Sequence, residues 1–312
     1  MTTSIMSHGV PVHGLTNLGN TCYVNSAIQA ILSINPLVKI LYTHNGHASP
    51  LDGQTKLIHM LKTILHNENW DNKAMSRIVW TMLREVCGIG VVRNLPEMGD
   101  ANEVIVDVIS VLISENLNSA LGLVGPRGDE GKQVNELFKG SFFVHTICSQ
   151  NKNHISSHEE SFTAIDLELN NENSVCSLIK SFEEKEKLEG ENRYRCDQCD
   201  GLVDATKCIR LNKLPVILFV ALKRLKRGFK SPIKVNAPLE FTLGLKKYKL
   251  IATIHHNGNA TGGHYFVYVK RGEQWFMISD TYISLPIVNV AAELANSDTL
   301  TLMIYQDVSF VM

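Results

Sequence analysis

A glycine- and asparagine-rich segment near the N-terminus carries a cysteine to the point where a helix is expected to begin. The segment runs from Gly14 to Ser26, and the cysteine is Cys22. A free thiol has a pKa of about 8.5, and the positive end of a helix dipole favours the thiolate that attacks carbonyl carbon atoms. Free N–H groups in the first helical turn, with the side-chain amide of Asn17, are suited to stabilise a developing oxyanion. The segment therefore predicts a nucleophilic cysteine.

A thiol nucleophile needs a base, and one of the twelve histidines has a suitable setting. His264 follows Gly262 and Gly263 and precedes an alternating aromatic run from Tyr265 to Tyr268, which predicts a strand. Taken singly, a free cysteine is more often a buried apolar residue, and a histidine is more often structural. A cysteine and a histidine distant in sequence can meet in a fold, as they do in cysteine hydrolases, and the pairing favours catalysis.

The elements that must position these residues change in type along the chain. Residues from 15 to about 118 are predicted to be mainly helical, with one helix from Asn25 to Leu32 and another from Glu103 to Leu117. Residues 122–132 are rich in glycine and charge and predict a loop. From about residue 138, short β-branched and aromatic runs alternate with turn residues, which is typical of an antiparallel sheet. The fold class is therefore α+β, with helices and strands segregated in sequence.

The composition excludes several classes of function. The chain has 312 residues, 30 lysines and arginines against 31 aspartates and glutamates, and 44% hydrophobic residues, which suits a globular protein with a sizeable core. This charge balance gives no electrostatic basis for general nucleic-acid binding. A membrane span needs about 20 consecutive apolar residues, and the longest run, Leu214 to Leu222, is much shorter and predicts a buried strand. We expect no nucleic-acid partner, no membrane segment and a monomer.

The cysteines and the N-terminus indicate the compartment. Seven cysteines, an odd number spread along the chain, are unlike a disulfide framework. The N-terminal residues lack the charged and apolar regions of a secretory signal. The expected location is therefore the cytoplasm or the nucleus.

Several motifs, taken in their order along the chain, resemble the ubiquitin-specific protease family of deubiquitinases. The Cys22 segment resembles the family's Cys box, and Tyr248 to Val269 with Trp275 to Asp280 resembles its His box. The intervening matches are Asp100 to Glu103, Tyr194 to Cys199, Asp204 to Lys207, Leu214 with Pro215, and Leu222 to Arg224. The resemblance covers roughly residues 14 to 306, and such an ordered series is not expected by chance.

The resemblance implies a papain-like cysteine peptidase fold with a thumb, a palm and fingers. It implies one catalytic domain over residues 14–308, preceded by a short extension at 1–13. Within the domain we expect a helical thumb at about 14–135, antiparallel β fingers at about 136–215 and a β palm at about 216–308.

The resemblance also implies roles for the residues singled out above. Cys22, in the thumb, would attack the carbonyl of ubiquitin's C-terminal glycine, and His264, in the palm, would take its proton and later protonate the leaving amine. Asn17 would support the oxyanion, and water activated by His264 would hydrolyse the thioester. This chemistry needs no cofactor, and the implied partners are ubiquitin and ubiquitinated proteins.

The third catalytic residue differs from the family pattern. In the family, an Asp or Asn that orients the histidine commonly stands four residues after a tryptophan, and a second Asp follows it. After Trp275 this chain has Ser279 at the first position and Asp280 at the second. A carboxylate orients the imidazole and supports its charge, whereas a hydroxyl only orients it. Three possibilities stay open: Ser279 orients His264, Asp280 takes over this role, or the site is weakened. We favour Ser279, with Asp280 nearby.

Residues near the catalytic pair are suited to an extended peptide tail. Gly262 and Gly263, next to Tyr265, are small enough to let a Gly-Gly tail reach the thiol, although a glycine pair can also simply make a turn. By similarity to the family, Asp100 and Glu103 would bind an arginine in ubiquitin's tail. The alternative for these two acids is a solvated helix start, where carboxylates favour the helix dipole.

Cys196 and Cys199 have the spacing of half a tetrahedral zinc site. In the family the partner pair lies upstream at the other fingertip, where this chain has Cys148 and, at the position that would complete the pair, Asn151. The residues that could substitute for the missing ligand are His154 and His158. We favour an incomplete site, and any zinc would be structural because the chain has no catalytic zinc motif.

Two alternatives to a deubiquitinase keep the same fold. A catalytically silent ubiquitin-binding protein is favoured by Ser279 and Asn151, whereas the joint presence of Cys22, His264 and Asn17 favours an enzyme. A peptidase for a ubiquitin-like modifier would keep the chemistry and change the substrate. Reactivity toward modifier probes separates the three.

Overall fold

The structure, a computed structural model, describes residues 6–7, 10–43, 53–67, 70–88, 91–92, 95–96, 98–113, 135–226 and 228–310. The loop predicted at 122–132, and the part of the predicted Glu103–Leu117 helix beyond Ile113, lie outside the described residues. Within the described ranges, no single helix has the length and apolar composition of a membrane span, and only two consecutive helices taken together across a 79° bend meet that test.

The first part of the chain is helical, as predicted. Its helices are α1 Cys22–Ile31, α2 Asn35–Thr43, α3 Gly53–His66, α4 Asn72–Cys87 and α5 Ala101–Ile113. The side chain of Asp100 accepts a hydrogen bond from the amide of Asn102 (2.8 Å), so α5 begins just before the predicted start at Glu103. Gly88, with φ 66°, ends α4 in the left-handed conformation that glycine adopts without strain.

Helix α1 lies in the core and carries Cys22 as its first residue. All ten of its residues are buried, and it packs against α5 and the strand that bears His264. It starts three residues before the predicted Asn25. Its C-terminal end is held by Arg271, whose guanidinium donates to the carbonyl of Gln29 (2.8 Å) and to the hydroxyl of Ser33. A cation there also suits the negative end of the helix dipole.

A four-stranded antiparallel sheet follows the helices in sequence. Its strands are β5 Gly140–Cys148, β6 Ile155–Phe162, β8 Glu186–Leu188 and β11 Ala205–Lys213, in the order β6-β5-β11-β8. A hairpin of β9 Tyr194–Cys196 and β10 Gly201–Val203 lies between β8 and β11 in the chain. This arrangement brings the end of β5 close to the hairpin.

A larger sheet carries His264. Its strands are β7 Ala164–Glu168, β12 Ile217–Lys223, β15 Glu240–Leu243, β16 Lys246–Asn259, β17 Gly262–Arg271, β18 Gln274–Ser279, β19 Tyr282–Ile283 and β20 Leu300–Asp307. The spatial order is β19-β18-β17-β16-β20-β12-β7, with β15 on β16. Short elements complete the description: β1 Met6–Ser7 with β2 Val10–Pro11, β3 Val91–Val92 with β4 Leu95–Pro96, β13 Leu225–Lys226 with β14 Phe229–Lys230, and helices α6 Val175–Phe182 and α7 Val290–Glu293.

Strand β7 departs from the expected antiparallel pattern. It pairs in parallel with β12, although its residues fall between two strands of the smaller sheet in sequence. The chain therefore crosses from the smaller sheet to the larger one and returns through α6. This excursion is invisible in the alternation of strand and turn residues, because a short edge strand gives the same pattern in either sheet.

The larger sheet is covered on both faces. In β12, Ile217, Phe219 and Ala221 join the apolar cluster formed with the helices. Their alternate neighbours Leu218 and Val220 join a second apolar cluster on the opposite face. This explains the continuous apolar run in the sequence, since a strand buried on both faces has no polar side, and it confirms the predicted buried strand.

Candidate active site

Cys22 is delivered to α1 by a tight turn. Gly19 and Asn20 both have positive φ (97° and 59°), a conformation that glycine adopts freely and asparagine tolerates. The side-chain oxygen of Asn17 accepts hydrogen bonds from the amides of Gly19 (3.0 Å) and Thr21 (3.1 Å). Cys22 itself is 7% exposed and lines a cavity. The thiol is therefore held in one place, with access to a cleft.

The pKa of Cys22 is raised, which contradicts the expectation from the helix dipole. Burial raises the pKa of the Cys22 thiol, a backbone hydrogen bond from Tyr265 opposes this rise, and the negative charge of Asp280 adds to it. The resting thiol is therefore neutral at pH 7 and needs a base to take its proton. The hydrogen bond from Tyr265 also puts the thiol beside the residue that follows His264 in β17.

His264 contacts both candidates for the third catalytic residue, but in different ways. The Nε2 atom of His264 lies 2.7 Å from Oγ of Ser279, the last residue of β18. The Nδ1 atom lies 4.0 Å from Oδ2 of Asp280, which is too long for a hydrogen bond but close enough for a charge interaction. Ser279 is therefore the hydrogen-bond partner of the imidazole, and Asp280 is a nearby charge.

Asp280 joins the Cys22 segment to the end of β18. Its Oδ2 accepts a hydrogen bond from Nδ2 of Asn17 (3.1 Å). Its Oδ1 accepts one from Nδ2 of Asn25 (2.7 Å). One N–H of the Asn17 amide is thus directed at Asp280. The carboxylate of Asp280 also interacts through charge with Cys22 and with His264, so it lies close to all three residues.

Asn25 was not singled out from the sequence. It is 3% exposed and lies three residues after Cys22 in α1, so both side chains are on one face of the helix. That spacing is the only sequence signal for it. Its partner Asp280 is 255 residues away in the chain, so the contact depends on how α1 docks on the sheet.

Two adjoining cavities lead to the thiol. The smaller, of about 470 Å³, is lined by Cys22, Gly262 and Gly263. The larger, of about 580 Å³, lies between α5 and the strands β7 and β12. The residues that line both cavities are Asp100, Glu103, Leu225, His256 and Tyr265. Together the cavities form one elongated cleft that ends at Cys22.

Acidic and basic side chains both line the larger cavity, and two of the lysines, Lys223 and Lys226, pair with Glu168. Burial raises the pKa of Asp100, Glu103 and Asp107, and the charges of neighbouring carboxylates raise the first two further. Asp166 and Glu168 of β7 line the same cavity. Asp100 caps the start of α5 and also lines the cleft. Clustered carboxylates with raised pKa values are stabilised by a cationic ligand.

The two glycines before His264 have different reasons to be small. A Cβ on Gly263 would lie 2.4 Å from the carbonyl oxygen of Asn257 and from Nε2 of His256, so no side chain fits there. A Cβ on Gly262 would meet only Sδ of Met98, at 3.8 Å, which is an ordinary contact. Gly263 is therefore required by the packing of β16 on β17, whereas Gly262 borders the cleft.

Four metal-ligating side chains meet at the end of the smaller sheet. Their ligand atoms all lie within 4.8 Å of one another, and they belong to Cys148, His154, Cys196 and Cys199. The Sγ atoms of Cys148 and Cys199 are 3.8 Å apart, and Nδ1 of His154 is 3.2 Å from Sγ of Cys199 and 3.7 Å from Sγ of Cys196. Zn–S bonds of about 2.3 Å in a tetrahedron separate two sulfur atoms by about 3.8 Å. The cluster has the composition and dimensions of a closed zinc site.

His154, one of the two histidines expected to be able to substitute for the missing ligand, lies with Cys148, Cys196 and Cys199 and makes a set of four potential ligands. Asn151, at the position expected for a ligand, hydrogen-bonds Nε2 of His154 (3.2 Å) instead. His158 lies on β6 and pairs with Glu160 (2.8 Å). Cys208 is buried on β11 and is not part of the cluster.

The fold is that of a papain-like cysteine peptidase with thumb, palm and fingers. Two solved structures match it, with TM-scores of 0.76 and 0.77 and 21% and 20% sequence identity: the SAGA Ubp8/Sgf11/Sus1/Sgf73 DUB module bound to ubiquitin aldehyde, and the SAGA DUB module with a substituted Ubp8 bound to monoubiquitin. The matches cover 98% of this chain and 72% and 71% of the matched chains.

The family model described as "Ubiquitin carboxyl-terminal hydrolase" matches residues 13–287, and the chain belongs to this family. Ubiquitin carboxyl-terminal hydrolase 17-like protein D of Mus musculus is 25% identical over 293 residues, which cover 88% of this chain and 51% of that protein. Ubiquitin carboxyl-terminal hydrolase 15 of Arabidopsis thaliana is 30% identical over 304 residues, which cover 90% of this chain and 32% of that protein. The chain thus spans about half or less of the length of these relatives.

Proposed function

We propose that this protein is a cysteine-type deubiquitinase that cleaves the bond after the C-terminal glycine of ubiquitin. The observation that carries the proposal is that His264 is hydrogen-bonded to Ser279 at 2.7 Å and directly precedes Tyr265, whose backbone hydrogen-bonds a Cys22 thiol that lines a cleft. Membership of the ubiquitin carboxyl-terminal hydrolase family supports the substrate class.

His264 acts as the base. The Ser279 hydroxyl accepts a hydrogen bond from Nε2–H, which leaves the lone pair of Nδ1 for the proton of Cys22. The Cys22 sulfur then attacks the glycine carbonyl, and the imidazolium gives its proton to the leaving lysine amine. Water deprotonated by the same imidazole hydrolyses the thioester and releases ubiquitin with a free carboxylate. The reaction consumes only water and requires no cofactor.

The oxyanion is stabilised by amide donors. The side-chain oxygen of Asn17 accepts two hydrogen bonds from backbone amides, and its Nδ2 donates to Asp280, so the amide group has a fixed orientation. We assign stabilisation of the oxyanion to the N–H of Asn17 that Asp280 does not use and to the backbone N–H groups at the start of α1.

The tail of ubiquitin lies in the elongated cleft, with Gly262, Gly263 and Tyr265 along its narrow end. Asp100 and Glu103 bind a cationic side chain of the tail, and the other carboxylates of the larger cavity extend this surface. The folded body of ubiquitin lies between the fingers and the palm. We keep the expected boundaries of thumb, fingers and palm, with β7 and α6 counted in the palm because β7 pairs with β12.

A ubiquitin-binding protein without turnover is the second candidate. The raised pKa of Cys22 and the hydroxyl at the third catalytic position favour it, because both weaken an ion pair between thiolate and imidazolium. The hydrogen-bonded His264 and the oriented Asn17 favour the enzyme.

One experiment separates the candidates. The protein is incubated with ubiquitin that carries a thiol-reactive electrophile at its C-terminus, beside a Cys22→Ala variant and probes built on ubiquitin-like modifiers, and the intact mass is measured. We expect one adduct at Cys22 with the ubiquitin probe, none in Cys22→Ala, and unchanged ubiquitin binding by that variant. Binding without an adduct would refute the enzyme, and an adduct only with another modifier would change the substrate.

We also propose that the Cys148, His154, Cys196 and Cys199 cluster holds a structural zinc ion. Thiolate and imidazole ligands suit zinc, and four protein ligands leave no open position for a reacting water. The ion would tie the end of β5 and the loop before β6 to the β9–β10 hairpin. None of the seven cysteines forms a disulfide, which supports our proposal of a reducing compartment, the cytoplasm or the nucleus.

A further inference from the structure

Asn25 uses both N–H groups of its side chain to join separate segments. One donates to Oδ1 of Asp280 (2.7 Å), and the other donates to the carbonyl oxygen of Leu15 (3.3 Å). The residue is buried at 3% exposure and stands one turn after Cys22. Its amide therefore fixes a carboxylate relative to the helix that bears the nucleophile.

The backbone of Asp280 is docked on the same segment. Its carbonyl oxygen accepts a hydrogen bond from the amide of Leu15 (3.0 Å), and its own φ is 52°, an uncommon conformation for an aspartate. A Cβ on Gly14 would lie 2.5 Å from Cα of Thr281, so the two backbones approach as closely as only glycine permits. Several contacts thus hold the backbone of Asp280 in this uncommon conformation, which is typical of strained residues at functional sites.

We infer that Asn25 is a positioning residue that holds the Asp280 carboxylate away from Nδ1 of His264 and so keeps that nitrogen free for the Cys22 thiol. The inference rests on the proposed function. The separation it maintains is 4.0 Å, whereas a hydrogen bond would need about 3 Å.

A shorter distance between the Asp280 carboxylate and Nδ1 of His264 would impair the site in two ways. A carboxylate hydrogen-bonded to Nδ1–H would occupy the nitrogen that must accept the thiol proton, since Nε2 is already bonded to Ser279. It would also bring negative charge nearer to the sulfur and oppose thiolate formation. At its present distance the carboxylate supports the imidazolium without binding it. His256 of β16 also interacts with His264 through charge.

The test is a double-mutant cycle between Asn25 and Asp280. The rate of Cys22 alkylation by iodoacetamide, read by peptide mass spectrometry at pH 7, reports thiol reactivity without ubiquitin, and the rate of adduct formation with the ubiquitin electrophile reports the full site. Asn25→Leu keeps the branched shape of the buried side chain and removes both donors. Asn25→Ala serves as a second variant.

We expect Asn25→Leu to lower both rates about tenfold or more, the effect of one pKa unit, while ubiquitin affinity changes less than about twofold. Asp280→Asn, which leaves the helix interior unchanged, should raise the alkylation rate. In that background Asn25→Leu should have no further effect, because Asn25 acts through the Asp280 charge. The matched control is Gln29→Ala, a buried amide on the same helix that does not contact Asp280.

Other outcomes overturn the inference. Equal losses in Gln29→Ala and Asn25→Leu, or additive effects of Asn25→Leu and Asp280→Asn, would mean that Asn25 only supports the helix. Failure of the proposed function would look different. Alkylation of Cys22 would still be slower in Asn25→Leu than in the wild type, but the wild type would give no ubiquitin adduct.

Discussion

Ser279 stands in hydrogen-bond contact with His264, with its Oγ atom 2.7 Å from Nε2 of the imidazole. The serine hydroxyl orients the imidazole without adding a charge. The carboxylate of the next residue, Asp280, is 4.0 Å from the other ring nitrogen. Orientation and charge support are therefore divided between two adjacent residues. In a site with one carboxylate at the third position, a single group does both.

This division predicts that Ser279→Ala loses more activity than Asp280→Ala. Ser279→Ala removes the group that orients the imidazole and should lower kcat/KM about 10- to 100-fold, the effect of losing one hydrogen bond to an ionisable group. Asp280→Ala should lower it less, because His264 keeps its hydrogen bond to Ser279 and loses only a charge interaction, while the other lost contacts are hydrogen bonds from Asn17 and Asn25. Cleavage of a C-terminal fluorophore from ubiquitin measures both.

Ser279→Asp is the matched gain variant, because a carboxylate at the same place both orients the ring and supports its charge. It should exceed Ser279→Ala in kcat/KM. The reverse order of the two alanine variants would assign the orienting role to Asp280.

Neutralising a carboxylate of the cleft should lower the affinity for substrate, and high salt should reduce this effect. Asp100→Asn should raise KM for ubiquitin substrates roughly fivefold at low ionic strength, because a charge facing a cationic tail is removed. Asparagine caps a helix as well as aspartate does, so α5 should keep its start. Glu103→Gln should behave in the same way, and kcat should change little in either variant.

Salt and a distant acid are the controls for this prediction. At about 0.5 M salt the difference from the wild type should shrink, since exposed charge interactions are screened over a few ångströms. Glu172→Gln, an exposed acid before α6, should leave KM unchanged. If Asp100→Asn and Glu172→Gln behave alike, the acids serve only the helix start.

The buried imidazole of His255 is expected to make the free energy of unfolding depend on pH. Burial, with the charge of Arg224, lowers the pKa of His255 to about 3, while its ring nitrogens stay bonded to Thr253 (2.9 Å) and Thr299 (3.0 Å). In the unfolded chain His255 takes up a proton as the pH falls through about 6.5, whereas in the folded chain it stays neutral at that pH. The contribution of His255 to stability is therefore complete above pH 6.5 and is lost as the pH falls toward 3.

The expected size follows from linkage. Between pH 6.5 and pH 5 the free energy of unfolding should fall by about 2 kcal/mol on account of His255 alone. Urea unfolding at the two pH values measures this fall, and His255→Gln should reduce it. His158→Gln, at an exposed position on β6, should show the same fall as the wild type. A pH-independent wild type would contradict the prediction.

The sequence predicts the catalytic pair because both residues lie in local patterns with chemical meaning. Cys22 follows a turn-forming segment at a helix start, and His264 follows two glycines in an alternating strand. The local patterns around these two residues depend on neighbours within a few residues, which a sequence displays directly. The thumb, the fingers and the palm were expected only because the ordered motifs resemble those of the ubiquitin-specific protease family.

Features that arise from docking could not be predicted. The bond from Asn25 to Asp280 joins residues 255 positions apart, and the raised pKa of Cys22 comes from burial by elements that are distant in sequence. The sequence offered both His154 and His158 as substitutes, and only the path of the loop after β5, which turns back toward the β9–β10 hairpin, brings His154 to the three cysteines. The parallel pairing of β7 is of the same kind.

Zinc content tests the metal cluster without reference to activity. Purified wild-type protein should carry about one zinc ion per chain, because four ligands with suitable spacing bind zinc tightly. His154→Ala should lose most of the metal and lower the midpoint of thermal unfolding. Asn151→Ala should weaken zinc affinity about 10- to 100-fold, the usual effect of losing an outer hydrogen bond to a ligand.

His158→Ala is the matched control for the zinc measurement, since it removes a histidine four residues on that pairs with Glu160 instead. This variant should keep the metal. A wild type that is metal-free and gains no thermal stability from added zinc would refute the site. Metal loss in His158→Ala but not in His154→Ala would give the fourth ligand to the other histidine, because only the side chain that coordinates the ion is needed to retain it.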